Sequence, residues 1–272
     1  MLSSHVGEST RVRFPGLVAA RDAVGRMLSA VGRAADALVF PWSCPLCEET
    51  GSNGPFCAVC RQELLVQAAR ASLLACPRCA HSTGPFGDLR GGCAACRGQS
   101  LGFDAALAFG PYEGAIRTLC LQLKHEENAW LAPWLSDLLV EARQKAIAQL
   151  PSDAWVVPVP LHWWRELQRG YNQSEALARG LAQRLGLPVR KPLRRALATH
   201  RLAAMGPTER HEVMRRAFRV RHYARLSGRT VLLVDDVLTT GATCGAAARA
   251  LKQAGAARVV AIVIGRTERT TL

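Results

Sequence analysis

The stretch Val231-Leu-Leu-Val-Asp235-Asp236-Val237-Leu238-Thr239-Thr240-Gly241-Ala242-Thr243 constrains the fold more than any other part of the chain. Its four leading aliphatics leave no polar face for water, so they read as a strand buried on both sides. Strands of that kind belong to parallel sheets with helices on both faces. The chain keeps the same alternation from residue 100 onward. Phe103–Phe109, Ala154–Pro160 and Arg258–Ile264 read as further apolar strands. Glu113–Lys124, Trp130–Leu150, Gln173–Leu185 and Thr243–Gly255 carry helical spacing. The expected fold class is therefore α/β, a doubly wound parallel sheet over residues 100–272.

The same stretch carries the chemistry. Asp235 and Asp236 leave the strand at its carboxyl end, where open α/β sheets bind their ligands. The short loop leads straight into a helix. Free amides at that helix start, the hydroxyls of Thr239, Thr240 and Thr243, and the helix dipole suit a phosphate monoester. Adjacent carboxylates accept hydrogen bonds from vicinal sugar hydroxyls and help to hold a divalent ion. Phosphate, diol and metal in one loop describe a 5-phosphoribosyl group. A P-loop nucleotidase needs Gly-x₄-Gly-Lys-[Ser/Thr], and none of the lysines (124, 145, 191, 252) follows a glycine. The dinucleotide fingerprint Gly-x-Gly-x-x-Gly is absent too. A purely structural Asp-Asp is disfavoured because neighbouring carboxylates repel unless a cation or hydroxyl meets them.

Eight of the ten cysteines form Cys-x-x-Cys pairs: Cys44/Cys47, Cys57/Cys60, Cys76/Cys79 and Cys93/Cys96. Two such pairs build a tetrahedral Cys₄ site, and the order along the chain favours two structural zinc ribbons, one after the other. Cross-braced pairing of first with third and second with fourth is open on spacing alone. With four protein ligands each, the sites hold structure and do no catalysis. His81, beside Cys79, reads as an exposed loop histidine. Cys120 and Cys244 read as small apolar residues packed on helices. The expected organisation is a tail and amphipathic helix over 1–40, a double zinc-ribbon module over 41–99, and the α/β domain over 100–272.

Formal charge is +14 over 272 residues, with 35 basic groups of which four are Lys. Part of that arginine excess is the signature of a GC-rich coding sequence. Two thiolate-bound zinc ions bring the balance to about +10, still a surface that attracts polyanions. No apolar run approaches the length that spans a bilayer, and the first forty residues hold no uninterrupted signal-type core. A cytoplasmic location is expected, and oligomeric state is not legible.

The Asp-Asp loop resembles the PRPP-binding motif of type I phosphoribosyltransferases. The order of segments from about Leu38 to Arg266 resembles the ComF (ComFC) family. Its pieces are Phe40-Pro-Trp-Ser-Cys-Pro-Leu-Cys47, Tyr112-Glu-Gly-Ala-Ile-Arg117 with Leu123-Lys124, Val157-Pro-Val-Pro160-Leu-His162, Arg169-Gly-Tyr-Asn-Gln173 and the loop itself. The resemblance implies a phosphoribosyltransferase fold, binding of PRPP with Mg²⁺, and a link to competence and DNA uptake. It implies that Asp235 and Asp236 hold the ribose hydroxyls and that Thr239, Thr240, Gly241, Ala242 and Thr243 wrap the 5-phosphate. The turn after Val157-Pro-Val-Pro160 corresponds to the pyrophosphate loop, with Lys124 and Arg169 meeting the leaving group. One region departs from the family. Thr199 and Arg210 match the mobile-loop series, whereas Leu202 and Val213 stand where Gln and Asn are expected. That departure bears on loop closure and turnover.

Residues 190–229 hold twelve Lys or Arg against Glu209 and Glu212. Such a segment is a solvated face, a guide for anionic PRPP, or a groove for single-stranded DNA in which phosphates pair with Arg and bases stack on Trp163, Trp164, Tyr171 and Tyr223. Two functions follow. One is a phosphoribosyl transfer (a pentosyl glycosyltransferase of nucleoside metabolism) to an acceptor that the sequence does not name. The other is a non-catalytic, PRPP-responsive factor that handles single-stranded DNA with other DNA-uptake proteins.

Overall fold

A computed structural model describes residues 43–50, 54–84, 89–161, 163–195, 217–221 and 226–268. The expected N-terminal helix, His162, Tyr223 and the mobile-loop positions Thr199, Leu202, Arg210 and Val213 lie outside the described residues. The chain divides into two compact units, Met1–Cys57 and Ala58–Leu272.

In the first unit, residues 43–50 form a tight knuckle. Ser43 pairs with Thr50, the Cys44 amide donates to Glu49 O, the Glu48 amide donates to Cys44 O, and Glu48 takes a left-handed φ of 62°. The second unit repeats this design. Ala75 pairs with Ser82, the Cys76 amide donates to His81 O, the Ala80 amide donates to Cys76 O, and Ala80 has φ 56°. A Cys-Pro-x-Cys turn followed by one left-handed residue thus occurs twice.

The second unit opens with helix α1 (Ala58–Leu74) and continues with strand β1 (Ala105–Pro111), helices α2 (Gly114–Gln122), α3 (Leu131–Ala142) and α4 (Gln144–Ile147), and strand β2 (Trp155–Pro158). Helices α5 (Trp163–Arg169) and α6 (Gln173–Leu185) follow, then strands β3 (Leu193–Arg195), β4 (Phe218–Val220) and β5 (Thr230–Leu238), helix α7 (Ala242–Gln253) and strand β6 (Arg258–Arg266). The main sheet runs β1-β6-β5-β2 with every pairing parallel, and β3-β4 is a separate antiparallel pair. Alternate residues of each strand serve opposite faces. Val231, Leu233, Val259 and Ala261 pack with Ala246, Ala247 and Leu251 of α7. Val234, Ile262 and Ile264 meet Leu139 of α3 and Leu177 and Leu181 of α6 on the other face. This is the expected parallel α/β sheet covered on both sides.

Two expectations are corrected, and one element is added. The segment Trp130–Leu150 is not one helix, since α3 ends at Ala142 and Arg143 breaks it at φ −115°, ψ 19°. The break turns the Arg143 side chain inward, where it is 6% exposed and donates to Ala108 O, Phe109 O and Ala68 O. Helix α1, which the sequence reading did not include, starts inside the second cysteine pair and runs almost to the third. His81 is half-buried, not an exposed loop histidine, and its Nε2 lies 3.2 Å from Glu268 Oε2.

Helix α7 approaches the chain before β1 as closely as backbone allows. An ideal Cβ on Gly245 would lie 2.3 Å from Leu101 O, and one on Gly102 would lie 2.4 Å from Gly245 O. Two glycines facing each other are what seat the start of α7 beside the sheet, and that seat positions the loop before it.

Candidate functional site

At the carboxyl ends of β5 and β2 lies a cleft of about 440 Å³. Asp235, Asp236, Thr239 and Thr243 line one side. Val159, Pro160 and Leu161 form the turn after β2, and Lys124, Arg169, Tyr112, Gln173 and Arg195 complete the wall. The structure thus brings together six of the nine site residues expected from the sequence. The other three, Thr240, Gly241 and Ala242, form the turn between the lining threonines. Gly241 takes φ 80°, a conformation that strains side-chain-bearing residues, and the Thr240 hydroxyl accepts from the Ala242 amide at 3.3 Å. The turn therefore delivers the first turn of α7, where the Thr243 and Cys244 amides have no carbonyl within the helix to bond, to the cleft.

The carboxylates are buried and held by neutral donors. Asp235 Oδ1 accepts from Ser174 Oγ at 2.8 Å and from the Asp236 amide at 3.0 Å, and the Cys244 thiol points at Oδ2 from 3.8 Å. Asp236 Oδ2 accepts from Gln173 Nε2 at 3.3 Å, and Oδ1 from the Val237 amide at 2.8 Å. Among the described residues neither carboxylate has an ion-pair partner. Burial first, and the neighbouring Asp236 second, push the Asp235 carboxyl up to about 7. A buried carboxylate pair with no cation of its own is a place that a divalent ion or a diol fits.

The segment Arg169–Ser174 explains itself residue by residue. Arg169 Nη1 donates to Gln173 Oε1 at 3.3 Å, tying the cationic wall to the Gln173–Asp236 contact. Asn172 caps α6 by accepting from the Ser174 amide at 3.0 Å, and its Nδ2 donates to Val159 O in the turn after β2. Gln173 and Ser174, the first residues of α6, each grip one aspartate. One helix start therefore fixes both carboxylates and the turn opposite them.

Sequence reasoning did not assign Tyr112, Gln173, Ser174 or Arg195. Tyr112 and Gln173 stood inside recognised segments, but which neighbour each would meet depends on strand order. The Tyr112 ring lies over Gly265, where an added Cβ would be 2.8 Å from Cδ2. Arg195 stacks over Phe218 at 5.4 Å, across the β3–β4 pair that the strand reading had not included. A larger cleft of about 530 Å³ lies between α1 and β1, but it lacks the adjacent aspartates and the threonine turn, and its charged groups such as Glu63, Arg70, Glu113 and Glu268 alternate with small apolar residues.

The cysteines fall into two groups in sequential order, Cys44/Cys47/Cys57/Cys60 and Cys76/Cys79/Cys93/Cys96, with the sulfurs of each group within 4.8 Å of one another. The cross-braced alternative is not the arrangement found. Four thiolates at the usual zinc–sulfur distance have tetrahedral edges of about 3.8 Å. The observed Sγ···Sγ separations of 3.6 Å for Cys47–Cys57, 3.5 Å for Cys79–Cys93 and 3.8 Å for Cys76–Cys96 match that cage. Burial pushes the first thiol of each knuckle, Cys44 and Cys76, upward, yet backbone amides donated to the sulfur outweigh it and bring both to about 7. The remaining cysteines, Cys120 and Cys244, are buried on α2 and α7 as expected. No helix among the described residues is long and apolar enough to cross a membrane.

A family model described as "Phosphoribosyl transferase domain" matches residues 172–271, which include α6, the Asp-Asp loop and β6. "Competence protein F" of Haemophilus influenzae is 26% identical over 216 residues, 78% of this chain and 85% of that one. "DNA utilization protein YhgH" of Escherichia coli O157:H7 is 30% identical over 241 residues, 85% of this chain and 99% of that one. The solved structure of TT1426 from Thermus thermophilus, 21% identical, covers 52% of this chain and 85% of that one with a TM-score of 0.32, too loose a likeness to bear on the site. A 30% match across nearly the whole of YhgH, a phosphoribosyltransferase domain and two Cys₄ groups ahead of it agree on one assignment: the chain belongs to the ComF family of competence and DNA-utilization proteins.

Proposed function

We propose that the cleft binds PRPP and that the protein transfers its 5-phosphoribosyl group to an acceptor with release of pyrophosphate. The observation that carries this is the buried Asp235–Asp236 pair, held among the described residues by neutral donors and flanked by Thr239, Thr243 and the α7 start on one side and by Lys124 and Arg169 on the other. The carboxylates take the ribose hydroxyls. The turn Thr239–Thr243 takes the 5-phosphate through amides and hydroxyls. Lys124 and Arg169 take the charge that grows on pyrophosphate as the C1–O bond breaks and the acceptor's electron pair forms the new bond at C1. No protein nucleophile is required, because the site works by stabilising charge and excluding water. Mg²⁺ bound to PRPP would neutralise part of the pyrophosphate charge beside the two aspartates. The two Cys₄ groups hold zinc as structural ions, in a cytoplasmic setting that keeps thiols reduced and supplies PRPP. The segment 41–99 is then a metal-stiffened module preceding the transferase domain.

A second reading is a PRPP-responsive factor that handles single-stranded DNA. It draws on the β3–β4 pair, where Arg194 and Arg219 stand directly opposite each other, with exposed Arg190, Lys191 and Arg221 nearby. Like charges across a strand pair repel, and a polyanion relieves them. The printed names of the relatives add the DNA context.

Calorimetric titration with PRPP, with and without Mg²⁺, is the test. Micromolar Mg²⁺-dependent binding that vanishes in Asp235→Asn/Asp236→Asn, with zinc content unchanged, is the expected result. Equal binding in that double variant would remove the site assignment. Pyrophosphate release with an added acceptor separates transferase from sensor.

A further inference from the structure

Arg266, the last residue of β6, is 6% exposed and has no carboxylate partner among the described residues. Every acceptor on its guanidinium is a backbone carbonyl, and apart from that of the adjacent Thr267 those carbonyls come from two different sites. Nε donates to Cys79 O at 2.9 Å. Nη1 donates to Leu238 O at 2.9 Å, Thr239 O at 2.5 Å and Thr267 O at 2.7 Å. Cys79 is a member of the second Cys₄ group, one residue before the left-handed Ala80 of its knuckle. Leu238 and Thr239 are where β5 ends and the candidate phosphate turn begins. Two residues further on, Glu268 accepts from the Ser82 amide at 3.2 Å on both oxygens and meets His81, so the knuckle's exit is fastened to the end of the same strand.

We propose that Arg266 is a positioning residue through which the metal at Cys76/Cys79/Cys93/Cys96 sets the geometry of the Thr239–Thr243 turn, making ligand binding there depend on a zinc ion that touches no substrate. The inference rests on reading that turn as the 5-phosphate subsite. With metal bound, the knuckle fixes the Cys79 carbonyl. That carbonyl orients Nε, and the rigid fork then dictates where Nη1 holds the Leu238 and Thr239 carbonyls. Without metal, four sulfurs packed at 3.5–3.8 Å have nothing to hold them together, and the knuckle opens. The guanidinium loses one anchor, and the Thr239 carbonyl loses its fixed donor while Leu238 O keeps only the Thr267 amide. Only arginine spans both sites, since an ammonium is a point donor that serves one at a time.

The test compares wild type with Arg266→Lys and Cys93→Ser, reading zinc content, amide exchange of residues 238–243 and titration with Mg²⁺–PRPP. Cys93→Ser should lose one of two zinc equivalents and speed exchange in the turn by about tenfold or more, the effect of losing a charge-assisted hydrogen bond. Arg266→Lys should keep both zinc ions, show the same faster exchange and weaken PRPP by about tenfold. Exchange in α6 should stay as in wild type in both, which a general loss of packing would not allow. Unchanged turn exchange in either variant overturns the coupling. If Arg266→Lys fails to fold, Cys93→Ser and chelator titration of wild type decide on their own. If wild type binds no PRPP, the phosphate reading fails, while the exchange arm still judges the link between knuckle and turn.

Discussion

Replacing Asp235 by Asn should make the protein more stable while removing its ligand. The carboxyl is 9% exposed, and burial with the adjacent Asp236 raises it from 3.8 to about 7. Holding it ionised in the folded state therefore costs on the order of 4 kcal/mol above pH 7, at about 1.4 kcal/mol per pH unit. Because the folded group binds its proton more tightly than the unfolded one, the stability it contributes is present at low pH and is lost as pH rises from about 4 through 7. Asn keeps an Oδ1 acceptor for the Ser174 hydroxyl and the Asp236 amide and turns an amide toward the Cys244 sulfur. Without the charge, the variant should gain about 2–4 kcal/mol at pH 8, a rise in melting midpoint of roughly 4–16 °C. At pH 5 the gain should be smaller by about 2–3 kcal/mol. Thermal or denaturant unfolding at both pH values, with PRPP titration at pH 8, reads all of this. A variant no more stable than wild type at pH 8, or a gain equal at both pH values, refutes the argument that Asp235 is a strained charge kept for its ligand.

Two further outcomes follow from packing. Gly245→Ala places a methyl where Leu101 O lies 2.3 Å away, so it should cost about 1–3 kcal/mol in denaturant unfolding and weaken PRPP by shifting the start of α7. Arg143→Met leaves the carbonyls of Ala68, Ala108 and Phe109 without their donor and should cost about 3–5 kcal/mol, with PRPP affinity per folded molecule unchanged.

The central strands and α6 were legible because each has a strong local signature. The run Val231–Val234 has no amphipathic alternative, and Gln173–Leu185 begins at an Asn cap and ends at a left-handed Gly186. The Asp-Asp loop was legible for the same reason, as its residue types are rare together. What was not legible depends on partners distant in sequence. Arg143 looked like one more helical cation, and only its three carbonyl acceptors, supplied by α1 and β1, explain the helix break. Gln173 and Ser174 gain their roles from β5 lying beside β2, a pairing that no local pattern announces. Helix α1 hid behind the cysteines on either side of it, with its buried stripe reduced to Cys60, Leu64 and Ala68.

The position of β6 also shapes how the molecule is made. It inserts between β1 and β5, so Ala105 waits for Val260 before it has any neighbour in the sheet. During synthesis the first strand leaves the ribosome with an open edge, and the sheet closes only once residues 258–266 follow. Such long-range closure is slow and leaves apolar surface bare in the interval. The Cys76–Cys96 cage, by contrast, is complete within 21 consecutive positions and can take its metal early. On the proposal that this cage holds zinc, folding has a built-in order in which the stiffened knuckle stands ready to receive Arg266 as the last strand arrives, and refolding without zinc should close the sheet more slowly and not yield a different final fold.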